Sequence, residues 1–276
     1  MPLANMRDLI AHAGRQQRAV GAFSVSGIEM VCGAVRAAEE MHTPIIIQVA
    51  QVRLPTTPLA VYGPAMRAAA EQAKVPVALH LDHATTFDCI AQALDLGFTS
   101  VMYDGSALPL RENIANTQRV VSMAKKYGAA VEAEVGSLGR TESGEVMKAC
   151  YTKPDDAVHF AAETDVDALA VAIGNAHGVY SGTPVFHFEV LDAIRQRCAT
   201  PLVLHGGTGS SEANFRRCIA CGVRKINIAT AIFMASAGAA QAAASGGWFA
   251  MSGAITEAVK KTVKEHIAIF GVATDE

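Results

Sequence analysis

The sequence predicts an α/β protein folded as a single-domain (β/α)8 TIM barrel, and three observations carry that expectation. Eight short apolar runs rich in β-branched residues recur along the chain, and stretches with helical spacing separate them. The length, 276 residues, is one that a single barrel of this kind fills. A doubly wound open sheet is the competing arrangement, but no G-x-G-x-x-G follows the first run. No low-complexity linker interrupts the pattern, so residues 1–276 are read as one domain.

The first run, AVGAFSV (19–25), leads into GIEMVCGAVRAAEEMH, where apolar residues return every three or four positions. PIIIQVA (44–50) follows, apolar on both faces as a buried parallel strand must be. VPVALHLD (75–82) precedes the helical stretch TFDCIAQALDLG, and TSVMYD (99–104) precedes LRENIANTQRVVSMAKKYG, each stretch ending in the glycine that often stops a helix. AAVEAEV (129–135) and VDALAVAI (166–173) are the fifth and sixth runs. PLVLHG (201–206), followed by EANFRRCIACG, and VRKINIA (223–229) complete the set. The longest interruption, GSLGRTESGEVMKACYTKPDDAVHF (136–160), divides the fifth run from the sixth. Its beginning, about residues 136–153, is rich in Gly, Ser and Thr and lacks an apolar face, so an active-site lid is expected there.

Composition narrows the partners. With 51% hydrophobic residues and a net charge of -3, the chain suits neither a disordered protein nor a basic nucleic-acid binder, and a small molecule is the expected ligand. Six cysteines (32, 89, 150, 198, 218 and 221) are too dilute for a disulfide framework. The N-terminus has no uninterrupted apolar signal core, and a cytoplasmic location is expected. Ile226 to Thr256 contains no charge, but its Ala, Gly, Ser, Thr, Asn and Gln content suits a buried helix plus a flexible loop better than a membrane span. Cys218 and Cys221 form a CxxC without a second pair, so neither metal nor redox duty is expected of them.

A barrel of this kind builds its active site at the carboxyl ends of its strands. The third run ends in Asp82 and His83, the fourth in Asp104 and the fifth in Glu132 and Glu134. His177 follows the sixth, His205 lies at the end of the seventh, and Asn227 and Thr230 close the eighth. At a period of two, His80 and Asp82 share one strand face, and His83 joins them only if the backbone turns. Three histidines with an open fourth position are what a catalytic zinc requires, which makes His83, His177 and His205 the candidate ligands. Asp104, Glu132 and Glu134 would orient their rings, with Glu134 able to approach the metal itself and His80 standing behind. His12, His42, His159, His187 and His266 lie away from the strand ends and are read as structural or surface residues. HGGTGSS (205–211) and NIAT (227–230) offer small residues and helical starts where barrels hold phosphate. On these residues alone, a zinc hydrolase and a non-catalytic partner subunit stay open beside a phosphate-handling enzyme.

In order along nearly the whole chain, HLDH, SVMYDGS, VEAEVGSLG, AVAIGNAHGVY, PLVLHGGTG and KINIAT resemble the class II, metal-dependent ketose-bisphosphate aldolases of the short tagatose-bisphosphate type. The resemblance implies reversible cleavage of a ketose 1-phosphate or 1,6-bisphosphate to dihydroxyacetone phosphate and an aldehyde, through a zinc-stabilised enediolate. It implies Zn2+ on His83, His177 and His205, Asp82 as the acid/base at the aldehyde-side oxygen, and Glu142 in the lid as the group that moves the enediolate proton. Asp104 and Glu134 match acidic positions of an alternative metal location. Gly178, Gly206, Gly207, Thr208, Asn227 and Thr230 match the dihydroxyacetone-phosphate site, and the backbone around Gly178 and Gly206 resembles a monovalent-cation site for Na+ or K+. A homodimer or homotetramer, with or without an accessory subunit, is implied as well.

The chain departs from that pattern at the substrate's far end. Bisphosphate-cleaving relatives have Asn near the end of strand one and Ser at the end of strand two, where this chain has Ser24 and Ala50. Short-type relatives carry an arginine before the last helix, and no arginine occurs here after Arg224. The expected substrate is therefore a ketose phosphate other than fructose 1,6-bisphosphate, unless Arg53, Arg111, Arg140 or Lys148 supplies the missing charge from a loop or a neighbouring subunit supplies it.

Overall fold

The computed structural model describes residues 3–272 apart from 139–149, 181 and 183. Its eight strands are β1 (Val20–Ser24), β2 (Ile45–Ala50), β3 (Val77–Ala84), β4 (Ser100–Tyr103), β5 (Ala130–Val135), β6 (Ala168–Val171), β7 (Leu202–Leu204) and β8 (Val223–Ile228). They pair in parallel in chain order, and β8 returns to β1 to close the barrel. Seven lie inside the apolar runs that predict them, while β3 continues past its run to Ala84 through a register shift between Leu81 and Ala84.

Helices α1 (Met6–Arg15), α2 (Ile28–Glu40), α3 (Leu59–Gln72), α4 (Phe87–Asp95), α5 (Leu110–Lys125) and α6 (Pro154–Thr164) come from the first part of the chain. The rest supplies α7 (Phe188–Arg195), α8 (Glu212–Ala220), α9 (Thr230–Ala243) and α10 (Gly247–Phe270). Helix α1 is not one of the barrel's β/α units. The Asn5 side chain accepts from the Arg7 N–H at 2.9 Å and starts the helix. Met6, Leu9, Ile10 and Ala13, spaced to fall on one side, are all buried. They pack against inward-facing Val20, Ala22, Ile46, Ala78, Ala130 and Val203, so α1 plugs one end with an apolar floor.

The uncharged stretch folds differently from expectation. In place of a buried helix and a flexible loop, α9 and α10 form a helical hairpin joined by a 3-10 turn over Ala244–Gly246. Alanine favours the helix, and Gly247 at φ 77° provides the reversal that a side chain would resist. The hairpin is also more exposed than expected: α9 buries only Ile232 and Ser236, and Trp248 and Phe249 are 61% and 90% exposed. Among the described residues, no helix is long and apolar enough to cross a membrane. Cys218 and Cys221 are buried in and beside α8, and burial pushes their thiols up to about 12 and about 11, so both stay protonated at neutral pH.

The interruption between β5 and β6 is pinned at its base, where Ser137 and Cys150 exchange backbone hydrogen bonds of 2.9 and 3.0 Å. Its last part is the start of α6. The lid expected near 136–153, with Arg140, Glu142 and Lys148, lies mostly outside the described residues.

Because α1 fills the floor, truncating its wholly buried Met6 should be felt by the whole barrel. Met6→Ala is expected to lower stability by about 2–5 kcal/mol, read from the urea midpoint.

Candidate active site

Successive inward positions carry the barrel interior from apolar to polar. Above Ala22 stands Ser24, above Ile46 stands Gln48, and above Ala78 stand His80 and Asp82. Ala130 is succeeded by Glu132 and Glu134, Val203 by His205, and Lys225 by Asn227. All of these polar side chains are buried. Water cannot satisfy them, so they must satisfy one another.

His83 breaks the alternation. On a straight strand it would face away from Asp82, but its φ of 46° and the register shift after Leu81 turn its ring into the interior. Its Nδ1 lies 2.8 Å from Asp104 Oδ2, and Ser106 holds the other Asp104 oxygen through its N–H at 3.1 Å and its hydroxyl at 2.7 Å. His205 Nε2 lies 2.8 Å from Glu132 Oε1. Each ring thus donates its outer N–H to a carboxylate, which leaves the inner nitrogens as lone pairs. Those nitrogens, His83 Nε2 and His205 Nδ1, are 2.8 Å apart. Two lone pairs at that distance repel unless a proton or a cation lies between them.

The His177 ring centroid is 4.8 Å from that of His83 and 5.9 Å from that of His205. One ligand atom from each of the three rings lies within 4.8 Å of the others. The donor set fits a divalent metal: three imidazole nitrogens, two of them backed by carboxylates. His83, Asp104 and Glu134 form a second group within the same separation, sharing His83.

Without metal, the cluster keeps a proton. Burial pulls the His83 imidazolium down, but the Asp82 charge and the Asp104 hydrogen bond outweigh it and hold its pKa well above the usual value. At His205, burial and then the charge of His83 act together and keep the ring neutral. Burial opposes ionisation of Asp104 as well, but the hydrogen bonds from His83 and Ser106 hold it below the usual carboxylate range. Glu134 moves the other way, raised by burial and then by Asp104, and its Oε2 has no hydrogen-bond partner among the described residues.

Asp82 is held by two amides. Gln48 Nε2 donates to Oδ2 at 2.9 Å and Asn227 Nδ2 to Oδ1 at 3.3 Å, while burial pushes the carboxyl pKa up. Below them the ammonium of Lys225, with no exposure, donates to Asn227 Oδ1 at 2.7 Å. It also lies 2.8 Å from Glu132 Oε2, an ion-pair contact whose angle falls outside hydrogen-bond geometry. His80 Nδ1 lies 2.9 Å from Ser100 Oγ, and its other nitrogen faces Glu132 and Asp82 at 3.7 and 4.0 Å.

One narrow cleft is lined by Gln48, Asp82, His177, Gly178, Gly206, Thr208, Asn227 and Thr230. Gly206 has φ 64°, and a Cβ there would sit 2.2 Å from the Ala176 carbonyl oxygen, so the two loops meet this closely only with glycine. Tyr180 straps them: its hydroxyl donates to Gly206 O at 2.8 Å and accepts from the Ala176 N–H at 3.1 Å. Asn175 Nδ2 adds a bond of 3.0 Å to His205 O. The N-cap of α9 is Ala229, which has no side-chain oxygen, and Thr208 Oγ1 from the neighbouring loop accepts the Ala231 N–H at 3.1 Å instead. The start of α9 thereby opens on the cleft, where a helix favours an anion. Gly207 lies behind it, its N–H donated to Asn227 O at 3.1 Å.

The expected rim residues therefore come together, except Glu142, which lies outside the described residues. The sequence reading missed Gln48, Lys225, Asn175 and Tyr180. For Gln48 and Lys225 a signal exists, since each is a polar residue on the inward face of a run otherwise made to be buried.

The chain matches the family model described as fructose-bisphosphate aldolase class-II over residues 4–275. A 6-phospho-5-dehydro-2-deoxy-D-gluconate aldolase of Halalkalibacterium halodurans is 37% identical over 282 residues, spanning 98% of this chain and 96% of the relative. A fructose-bisphosphate aldolase of Staphylococcus aureus is 33% identical, with 99% of both chains covered. The crystal structure of the YdjI aldolase from Escherichia coli K12 superposes with a TM-score of 0.88 at 34% identity, covering 97% of each chain.

A metal ion taken by the three imidazoles would have to displace the proton on His83. Because that pKa is raised, zinc affinity should be full above the raised value and fall about tenfold per pH unit below it. Asp104→Asn relaxes the hold on the proton and frees the ring, so the decline should begin at lower pH while affinity at neutral pH drops roughly 10–100-fold. Zinc titrations against a competing chelator at several pH values measure both, and a native affinity flat from about pH 5 to 8 would contradict a proton held on His83.

Proposed function

The chain belongs to the class II fructose-bisphosphate aldolase family, and from that premise we propose that it reversibly cleaves a ketose 1-phosphate to dihydroxyacetone phosphate and an aldehyde that carries no phosphate. One observation carries this reading: a single cleft holds a buried carboxylate, an imidazole of the three-histidine cluster and the opening of α9. An aldol cleavage needs all three together. A zinc hydrolase would need no phosphate cradle, and a non-catalytic subunit would need no Asp82.

A zinc ion on His83, His177 and His205 would supply Lewis acidity toward the ketone oxygen, where negative charge develops as the C3–C4 bond breaks. Asp82 takes the proton of the C4 hydroxyl as the aldehyde forms and gives it back in the reverse direction. Its two amide partners fix where its oxygens stand, and its raised pKa brings it toward the range in which a carboxylic acid both accepts and returns a proton. The first turn of α9 and the Thr208 loop hold the phosphate beside the ketone. By the family resemblance, Glu142 is the group that moves the C3 proton of dihydroxyacetone phosphate.

The far end of the cleft decides the substrate. Above Gln48 the next inward residue is Ala50, in register with Asp82, so no hydroxyl projects where the aldehyde portion lies. The name of the Halalkalibacterium halodurans relative describes a substrate with one phosphate and an acid at its other end, which supports a single-phosphate ligand here. Arg53 follows β2, with its guanidinium carbon 5.5 Å from the Phe233 ring centroid on α9.

Cleavage coupled to reduction of dihydroxyacetone phosphate should be abolished by chelation and restored by zinc. Values of kcat/KM should be higher for a ketose monophosphate than for fructose or tagatose 1,6-bisphosphate, and a strong preference for either bisphosphate would overturn the substrate reading. Glu142→Ala should slow exchange of the C3 proton of dihydroxyacetone phosphate by roughly 10²–10⁴-fold, and exchange at the native rate would remove Glu142 from the mechanism.

A further inference from the structure

We propose that Lys225 is a positioning residue that sets which end of the Asn227 amide faces the cleft. The inference rests on the aldolase reading above and adds a determinant to it. Lys225 and Asn227 are successive inward residues of β8, so strand geometry sets them side by side. An ammonium has three N–H donors and no lone pair. The atom 2.7 Å from Lys225 Nζ must therefore be the amide oxygen of Asn227. A flipped amide would turn N–H against N–H, inside a barrel where neither group reaches water.

With its oxygen held below, Asn227 turns its nitrogen upward, to Asp82 Oδ1 at 3.3 Å and into the cleft. There it presents donors to a ligand oxygen and to the carboxylate that moves the proton. Reversed, it would present an acceptor to that carboxylate and to the same ligand oxygen. An asparagine without such a neighbour has little to choose between its two orientations. If Lys225 only neutralised Glu132, its 2.8 Å contact with that carboxylate would suffice, and the contact with Asn227 would have no purpose.

A double-mutant cycle between Lys225→Met and Asn227→Ala tests this. Two quantities are read at saturating zinc: kcat/KM for the best ketose phosphate, and the dissociation constant for dihydroxyacetone phosphate by calorimetry, which needs no turnover. Lys225→Met should lower kcat/KM roughly 10²-fold when Asn227 is present, the usual worth of one oriented donor, and less than about threefold once Asn227 is alanine. Binding should follow the same non-additive pattern. If Lys225→Met fails to fold, the cycle is run in Glu132→Gln protein, where Lys225→Met no longer strands a buried carboxylate. Equal losses with and without Asn227 overturn the proposal. Native protein that neither cleaves a ketose phosphate nor binds dihydroxyacetone phosphate overturns the aldolase reading and this inference with it. An active native enzyme with an additive cycle overturns the inference alone.

Discussion

Lys225 on β8 and Glu132 on β5 meet inside the barrel at 2.8 Å, and neither has any exposed surface. Either charge left alone in that place would cost several kcal/mol, so the two stand or fall together. Their pairing gives direction to the polar groups above. From Glu132 it runs through the outer N–H of His205 to the nitrogen that faces His83, and from Lys225 through Asn227 to Asp82. The imidazole cluster and the Asp82 carboxylate thus share one electrostatic foundation, although they belong to different strands.

That foundation is possible because the barrel separates its tasks along its axis. Small apolar side chains and α1 close one end and supply packing. The other half holds buried polar groups at a density a stable core would avoid. Among the described residues, Gln48 Oε1, His80 Nε2 and Glu134 Oε2 lack hydrogen-bond partners, and each such atom costs about 1–3 kcal/mol. These costs gather around the cleft, as expected where chemistry rather than stability selects the side chains. The apolar sheath between strands and outer helices offsets them.

The strands were legible in the sequence because both faces of a parallel barrel strand are buried, which leaves short, β-branched apolar runs that no amphipathic helix would produce. The rim residues were legible because they interrupt those runs at their ends. Lys225 and Gln48 sit one inward step below the rim, at Asn227 minus two and Ala50 minus two, and reading the period of two downward would have found them. Helix α1 had its own signal in Met6, Leu9, Ile10 and Ala13. The Tyr180 strap and the cap that Thr208 lends to α9 had none, since each depends on the distance between two loops that only the closed barrel sets. The hairpin of α9 and α10 was misjudged because glycine and alanine together read as flexibility, whereas alanine propagates helix and a glycine makes the turn.

The left-handed backbone at His83 bears on how transferable this centre is. A designer who copied only the three imidazoles onto the strand ends of another barrel would graft His83 onto a regular strand, where its ring points out toward the helices. What must travel with it is a short piece of irregular backbone, the register shift after Leu81 and a residue that tolerates positive φ, together with the Asp104 turn that anchors the ring. The inheritable unit is a kink with its acid rather than a list of histidines, and a homologue that straightened this strand would lose the cluster even with every histidine retained.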